Sequence, residues 1–268
     1  MSKRRIALLA AALALSPMAM GACSRPIMVP VAASGVAVSV EDGQVRGIYP
    51  DLMRSAGQKA GCEFQFSVVP RARQVAMFES GKADLLVPAS PTTARDQLGV
   101  FISMISHRTM IVSVAGKQPP VTSLREMLER RDLRMAVVRG FDYGEPYSTL
   151  IKELNKQGRL FMEVDVRAVA RLLHAGSADV TIMGPTLIAS AIEHEPRVTG
   201  LLEKLRFDAV PEMPWHPSGI YISRSSLTQG DQREVREILD KIARSGAVIE
   251  AYQRRFRPEL LNDSVRGR

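Results

Sequence analysis

Short apolar runs alternate with longer amphipathic segments along most of the chain. The apolar run at 85–87 is bounded by turn residues, which is typical of a buried strand in a parallel sheet. Residues 51–60 have helical character and are followed by Gly61, a residue type that often ends a helix. This alternation predicts an α/β protein with mainly parallel sheets covered by helices.

The second half of the chain repeats this order. Apolar runs at 133–138 and 178–183 predict two strands, and residues 166–174 between them predict an amphipathic helix. Segment 175–180 has the same form as segment 80–85, since each places a Gly-x-x-Asp sequence before an apolar strand. The repetition predicts two lobes that share one supersecondary plan.

The N-terminal segment has the form of a targeting sequence. A basic stretch, Lys3-Arg4-Arg5, precedes an uncharged apolar run at 6–15, and small residues follow at 19–22. This order predicts a secretory signal peptide over residues 1–22, with an apolar run too short to span a bilayer. We therefore expect a soluble, exported, periplasmic protein.

Charge and motifs exclude several function classes. The formal net charge of +8 falls to +5 without the three N-terminal basic residues. The other basic runs are spaced like solvated helix faces and lack the aromatic residues of a nucleic-acid-binding module, so we expect no nucleic-acid partner. The sequence has no phosphate loop, dinucleotide fingerprint or Gly-x-Ser-x-Gly elbow, and its four histidines lack metal-ligand spacing. We expect no catalytic set, metal or cofactor.

The loop after the apolar run at 85–87 is the strongest candidate for a binding site. Thr92 can cap a helix that starts beside it, and helix-entry amides near Arg95 suit an anion. The planar guanidinium of Arg95 can give a carboxylate two parallel hydrogen bonds. The alternative for Arg95 is a surface ion pair with Asp84 or Asp96, and for Ser90 and Thr92 it is ordinary loop capping.

These features resemble those of the extracytoplasmic solute-binding proteins of the polar amino-acid class, the soluble receptors of ABC importers. In that family a Gly-x-x-Asp strand leads to a loop with Ser, Thr and Arg, which Ser90, Thr92 and Arg95 match with one residue fewer before the arginine. Segment 47–52 resembles the family's entry into its first helix, and 219–222 resembles the strand that returns to the first lobe.

The resemblance implies a two-lobed periplasmic-binding-protein-like fold of type II, with two mainly parallel sheets and hinge crossings that let the lobes close. The expected divisions are a signal peptide (1–22), the first part of lobe 1 (23–110), lobe 2 (111–215) and the C-terminal part of lobe 1 (216–268). It also implies a monomer that takes part in amino-acid transport by delivering its solute to a membrane permease.

The same resemblance places ligand contacts on particular residues. Arg95, Thr92 and Ser90 would hold a carboxylate, and Arg71 stands where the family usually has an apolar or aromatic residue against the ligand. Arg71 is therefore a second cationic candidate. In the second lobe the loop at Gly140 is a further candidate. Trp215, near the return crossing, is expected either to line the cleft or to pack in the hinge.

Two departures from the family concern the ligand's amino group. Members that bind α-amino acids place an aspartate five residues after the second Gly-x-x-Asp acid, and Gly184 occupies that position here. The loop at 32–36 also lacks the usual aromatic platform. Asp142 is expected either to replace the missing acid or to serve as a turn residue. We expect a carboxylate-bearing ligand, with an organic anion preferred over a zwitterion.

The two cysteines admit two interpretations. Met20-Gly21-Ala22-Cys23 has the form of a loose lipobox, which would make Cys23 a lipid anchor. In the family, however, the strands that follow Cys23 and Cys62 are parallel neighbours, so both cysteines would lie at one end of the sheet. That arrangement favours a disulfide in an oxidising compartment.

Three functions are compatible with these features. The first is solute capture for an ABC importer. The second is an exported enzyme on the same fold, because cyclohexadienyl dehydratases share it and act on small carboxylates. The third is a ligand-sensing module for a membrane receptor.

Overall fold

The computed structural model describes residues 22–116 and 118–268. The predicted signal peptide lies outside these residues, apart from Ala22. Among the described residues the strands are β1 (Ile27–Val31), β2 (Ser39–Glu41), β3 (Gln44–Arg46), β4 (Phe64–Val68), β5 (Leu85–Ala89), β6 (Gly99–His107), β7 (Met110–Val114), β8 (Met135–Val138), β9 (Leu160–Glu163), β10 (Val180–Met183), β11 (Leu205–Asp208), β12 (His216–Ser223) and β13 (Val265–Gly267).

Helices connect most of these strands. They are α1 (Ile48–Ala60), α2 (Arg71–Glu79), α3 (Thr93–Leu98), α4 (Leu124–Glu129), α5 (Glu145–Lys156), α6 (Val166–Ala175), α7 (Pro185–Glu193), α8 (Gln229–Arg244), α9 (Ala247–Arg255) and α10 (Pro258–Leu261), with short 3₁₀ turns at Pro196–Val198 and Leu202–Lys204.

Local sequence signals begin and end several of these helices, and the roles predicted for Gly61 and Thr92 are confirmed. Gly61 follows α1 in the left-handed conformation, with φ of 73°, a region that a side chain makes unfavourable. Gly176 ends α6 in the same way. The Thr92 side chain accepts a hydrogen bond from the Arg95 N–H and caps α3. Pro185 is the first residue of α7, where its missing N–H costs nothing.

The described strands form a small β2-β3 hairpin and two larger groups of paired strands, one in each lobe of a two-lobed fold. In the first, β4 pairs with β1 in parallel, and β5, β12, β6 and β13 make a four-stranded sheet beside β1. In the second, the strand order is β11-β7-β10-β8-β9. We refer to these sheets with their helices as the first and second lobes. The predicted α/β class and two-lobed architecture are confirmed.

The sheets are mixed rather than mainly parallel. Strand β12 pairs antiparallel with both β5 and β6, and β7 pairs antiparallel with both β10 and β11. The reason is that the chain passes between the lobes along strands: β6 leads almost directly into β7, and β12 brings the chain back. The predicted buried run at 85–87 lies in β5, but its paired neighbour is antiparallel.

The chain changes sheet twice. It leaves the first sheet after His107 and enters the second at Met110, then leaves the second after Asp208 and re-enters the first at His216. We propose these two segments as the lobe boundaries, close to the expected divisions at 110 and 215. Two crossings side by side allow a hinge motion.

Each lobe has its own apolar core. The first is built on Ile27, Val29, Leu85, Ile220 and the inner face of α8. In the second lobe apolar side chains pack on both faces of the sheet, under α6 and α7 on one side and under α4 and α5 on the other.

The aspartate of the Gly-x-x-Asp repeat accepts a backbone N–H and an arginine side chain in both lobes. Asp84 accepts the Met28 N–H of β1 at 2.7 Å and a two-point contact from the Arg25 guanidinium at 2.7 and 2.9 Å. Asp179 accepts the Arg134 N–H just before β8 at 2.9 Å and the Arg134 Nε at 3.1 Å. In the first lobe this aspartate therefore links the start of β5 to β1. In the second lobe it links the start of β10 to β8. This arrangement explains why Asp84 does not pair with Arg95.

Asp84→Asn is expected to lower the free energy of unfolding by about 1.5–3 kcal/mol at pH 7, because the side chain is buried and bonded to a charged partner. Burial raises the pKa of Asp84, but hydrogen bonds from Arg25 and Met28 outweigh it and lower that pKa overall. The stabilisation is thus complete above about pH 4 and is lost as the pH falls through the lowered pKa.

Urea unfolding at pH 7 and at pH 3 checks this expectation. Asp179→Asn is the matched control, because the Asp179 side chain is 25% exposed against 2% for Asp84, so its loss should cost about 1 kcal/mol or less. Equal losses in the two variants, or a difference between Asp84→Asn and wild type that grows on acidification, would contradict the assignment.

The disulfide between Cys23 and Cys62 is present, with the Cα atoms 5.0 Å apart. The parallel pairing of β1 with β4 aligns Ile27 with Phe64, which brings the residues before both strands to one end of the sheet. The disulfide interpretation is therefore confirmed, and it leaves no free thiol at Cys23 for a lipid anchor.

Candidate functional site

A cavity of about 110 Å³ lies between the lobes. On the same measure one water needs about 10–15 Å³, so the cavity can hold a small solute. Its polar and aromatic lining comes from both lobes: Ser34, Arg71, Ser90, His107, Ser218, Tyr252 and Ser264 from the first, and Phe141, Asp142, Tyr143 and Thr186 from the second.

Arg71 supplies the cation in the cavity wall. It is the first residue of α2, separated from the end of strand β4 by two residues. Its Nη1 donates to the Gln74 side chain at 2.9 Å and the Pro88 carbonyl at 3.0 Å. Its buried Nε has no hydrogen-bond partner among the described residues. Burial and the nearby Arg95 lower the pKa of Arg71 to about 10, so the side chain still carries its charge at neutral pH.

Arg95 lies behind the loop that carries Ser90. It is almost fully buried, and its Nη1 donates to the Ser90 carbonyl at 3.0 Å. The Thr92 N–H donates to the Tyr221 hydroxyl at 3.2 Å, and that hydroxyl donates to Asp96 at 2.7 Å. Strand β12 thereby fixes the start of α3. Ser90 lines the cavity, whereas Arg95 and Thr92 are not among the lining residues.

The second lobe contributes Asp142 and Gly184 to the cavity wall. Asp142 lines the cavity, and its Oδ1 accepts the Gly144 N–H at 2.9 Å. Gly184 also lines the cavity, and apart from its chain neighbours no atom of the described residues lies within 4 Å of the place where its Cβ would be. Cavity space therefore stands where the family places an amino-group aspartate.

Gly140 and Trp215 lie outside the cavity lining. Gly140 has φ of +87°, and a Cβ there would come within 3.1 Å of the Ala72 Cα at the start of α2. It is thus a point where the two lobes touch. The Trp215 ring lies under the Arg266 guanidinium, 4.4 Å from the ring centroid, beside the return crossing. We propose that Trp215 packs in the hinge, the second of the two expectations for it.

Sequence reasoning missed His107 and Tyr143. His107 is the last residue of β6 and meets His216, the first residue of β12, edge to face with ring centroids 4.2 Å apart. Tyr143 lines the same cavity and lies near His216. No spacing in the sequence indicates this cluster, because its members are joined only by strand pairing and lobe contact.

A second, larger cleft adjoins the cavity on the other side of Gly35. A Cβ at Gly35 would come within 2.8 Å of the Ser190 Cβ of α7, so the lobes touch there as well. The Arg255 guanidinium meets the Glu193 carboxylate across the lobes at 2.6 Å. The lobes are therefore in contact around the cavity.

The described part of the chain has no cluster of three metal-ligating side chains. It also has no helix with the length and apolar character needed to cross a bilayer.

Comparisons with known proteins agree with this architecture. The family model for bacterial extracellular solute-binding proteins, family 3, matches residues 31–258. No curated protein matches the sequence. Among solved structures, the arginine-, lysine-, histidine-binding protein ArtJ from Geobacillus stearothermophilus is similar with a TM-score of 0.69 and 17% identity, over 87% of this chain and 95% of that one.

Two further structures share the fold. The amino acid ABC transporter substrate-binding protein AbpA from Streptococcus pneumoniae, bound to L-arginine, has a TM-score of 0.67 and 17% identity, over 85% of this chain and 93% of that one. A histidine kinase sensor domain with similarity to periplasmic binding proteins has a TM-score of 0.67 and 18% identity, over 86% of this chain and 95% of that one. At these identities the likeness shows the fold alone. The family match over most of the chain shows that the protein belongs to the bacterial extracellular solute-binding proteins of family 3.

Proposed function

We propose that the protein captures a small carboxylate-bearing solute between its lobes in the periplasm and delivers it to the permease of an ABC importer. The observation that carries the proposal is Arg71, a charged guanidinium in the wall of the interlobe cavity with a buried Nε that lacks an acceptor. A buried donor of this kind gains a charge-assisted hydrogen bond when a carboxylate arrives.

The charges around the cavity favour an anion over a zwitterion. Arg71 is in the wall with Arg95 close behind it, and Asp142 is the acid that faces them from the second lobe. Gly184 offers no carboxylate for an ammonium group, and a buried ammonium without an acid is costly. A dicarboxylate or a carboxylated aromatic compound fits this balance. In this proposal Arg95 and Thr92 hold the Ser90 loop in place against the ligand, and Ser90 contacts it.

The competing possibility is that Asp142 receives the ligand's ammonium and restores ordinary amino-acid binding. Its position in the cavity wall allows this. Thermal-shift screening of dicarboxylates, aromatic carboxylates and amino acids, followed by titration calorimetry, separates the two because binding to the native state raises apparent stability. We expect anions to bind more tightly than zwitterions, with affinity little changed in Asp142→Ala. Tight zwitterion binding that is lost in Asp142→Ala would contradict this expectation.

The sensor-domain neighbour favours a second candidate, a ligand-sensing module that presents its ligand-bound form to a membrane receptor. Genomic neighbours encoding a permease and an ATPase would support transport, and a neighbouring membrane receptor gene without them would support sensing.

Incubation with prephenate or arogenate tests the enzymatic alternative, for which we expect no product.

A further inference from the structure

Two histidines lie where the chain passes between the lobes. His107 ends β6 just before the outgoing crossing, and His216 begins β12 just after the return. The antiparallel ladder places them opposite each other, and their rings meet edge to face with centroids 4.2 Å apart. The pair therefore belongs to both crossings at once.

The second lobe completes the environment of this pair. The Tyr143 ring lies 6.2 Å from the His216 ring and itself packs on Tyr147 of α5 at 4.9 Å. His107 and Tyr143 line the same interlobe cavity. Separation of the lobes would remove the Tyr143 side of this enclosure and admit water to His107.

One ring nitrogen of each imidazole is buried and unpaired among the described residues. The His216 Nδ1 lies 3.0 Å from the Pro214 carbonyl, so it carries the hydrogen and leaves Nε2 as the basic nitrogen. That Nε2 and the His107 Nδ1 are both buried without a hydrogen-bond partner among the described residues. A proton added to His216 Nε2 would therefore be a buried charge without an acceptor.

The neighbouring charges do not compensate. The cations near the pair are Arg71 across the cavity, Arg108 next in the chain after His107, and Arg266 over the adjacent Trp215. The acid in the cavity wall is Asp142, whose Oδ1 accepts the Gly144 N–H and which makes no hydrogen bond to either ring among the described residues.

The remaining titratable neighbours make no hydrogen bond to either ring among the described residues. Glu212, four residues before His216, accepts the Leu124 N–H through Oε1, and its buried Oε2 has no hydrogen-bond partner there. Burial keeps the neighbouring tyrosines Tyr143, Tyr147 and Tyr252 neutral by raising their pKa values. The closed arrangement thus favours two neutral imidazoles.

We propose that the His107–His216 pair couples lobe closure to proton release, so that acidification opens the cleft and releases the bound solute. The coupling rests on the proposed closure of the lobes around a solute. It adds a regulatory property: the protein holds its solute at neutral pH and loses it in a mildly acidic periplasm.

Proton linkage gives the direction and the size of the effect of pH on lobe closure. Burial and His216 lower the pKa of His107 to about 3 when the lobes are in contact, and burial lowers that of His216 as well. A water-exposed histidine in the open form would titrate near 6.5. Above about pH 6.5 the histidines are neutral in both forms, so their protonation does not disfavour closure. As the pH falls from 6.5 toward the lowered pKa of His107, closure becomes increasingly unfavourable. If opening returns the pKa of His107 fully to that value, this histidine disfavours the closed form at pH 5.0 by about thirtyfold.

Electron–electron double resonance tests the coupling without any solute. Spin labels on Lys241→Cys of α8 and Lys156→Cys of α5, both exposed, report the distance between the lobes while the native disulfide stays intact. We expect the distance distribution to shift to longer values between pH 7.5 and pH 5.0. The shift should be absent in a His107→Gln/His216→Gln background and unchanged in His174→Gln, an exposed histidine on α6.

The same distribution at both pH values in the wild type overturns the proposal, as does a shift that persists in the double variant. If the double variant is poorly folded, His107→Gln alone keeps the test available, and it should lose most of the shift. Since no solute is present, either negative result leaves the proposed carboxylate binding untouched.

Discussion

Arg71→Ala is expected to weaken carboxylate binding by about 2–5 kcal/mol, at least an order of magnitude in Kd. The side chain stands in the cavity wall, and its Nε has no acceptor among the described residues. Its removal takes away the cation that a bound carboxylate would face. Titration calorimetry with the carboxylate that gives the largest thermal shift measures the loss.

Arg73→Ala is the matched control, because Arg73 lies exposed on the same helix and should leave affinity unchanged. Arg71→Lys keeps the charge but not the planar fork, so we expect intermediate affinity. Arg95→Ala is expected to weaken binding as well, but with a lower Tm, because Arg95 holds the Ser90 carbonyl. Equal affinities of wild type and Arg71→Ala for the carboxylate would show that Arg71 does not bind it.

Loss of the Cys23–Cys62 disulfide is expected to lower the free energy of unfolding by about 4 kcal/mol. The bond joins residues 39 apart in sequence, and a closed loop of that length removes much conformational freedom from the unfolded chain. For a protein of this size that corresponds to a fall in Tm of roughly 8–16 °C. Scanning calorimetry of oxidised wild type and Cys23→Ser/Cys62→Ser gives the difference.

Reduced wild type is the internal control, and its Tm should match that of the double variant. Intact mass of the oxidised protein should be two hydrogens lower than that of the reduced chain and show no lipid. A diacylglycerol adduct on Cys23 or a Tm unaffected by the substitutions would contradict the assignment.

Much of the fold follows from local sequence signals. Gly61 and Gly176 end helices because they adopt the left-handed conformation there, and Thr92 begins one because its hydroxyl caps the first turn. The antiparallel partners of β12 were not predicted. Pairing between distant strands is decided by the path of the chain between lobes, and the apolar pattern of each strand is the same for either direction.

The site was predictable only where the chain itself carries the signal. Arg71, Ser90 and Asp142 follow strands at the cavity, so their positions in sequence indicate their place in the fold. Arg95 was expected to be the main contact, but the Ser90 loop stands between it and the cavity lining. His107 and Tyr143 gave no signal, since lobe contact alone brings them together.

A crystal structure of the protein with the carboxylate that gives the largest thermal shift tests the central claim most directly. We predict that the solute lies between the lobes, with its carboxylate within about 3 Å of the Arg71 guanidinium, the distance of a charge-assisted hydrogen bond. A solute bound outside the interlobe cavity, or one whose carboxylate faces away from Arg71, would contradict the account.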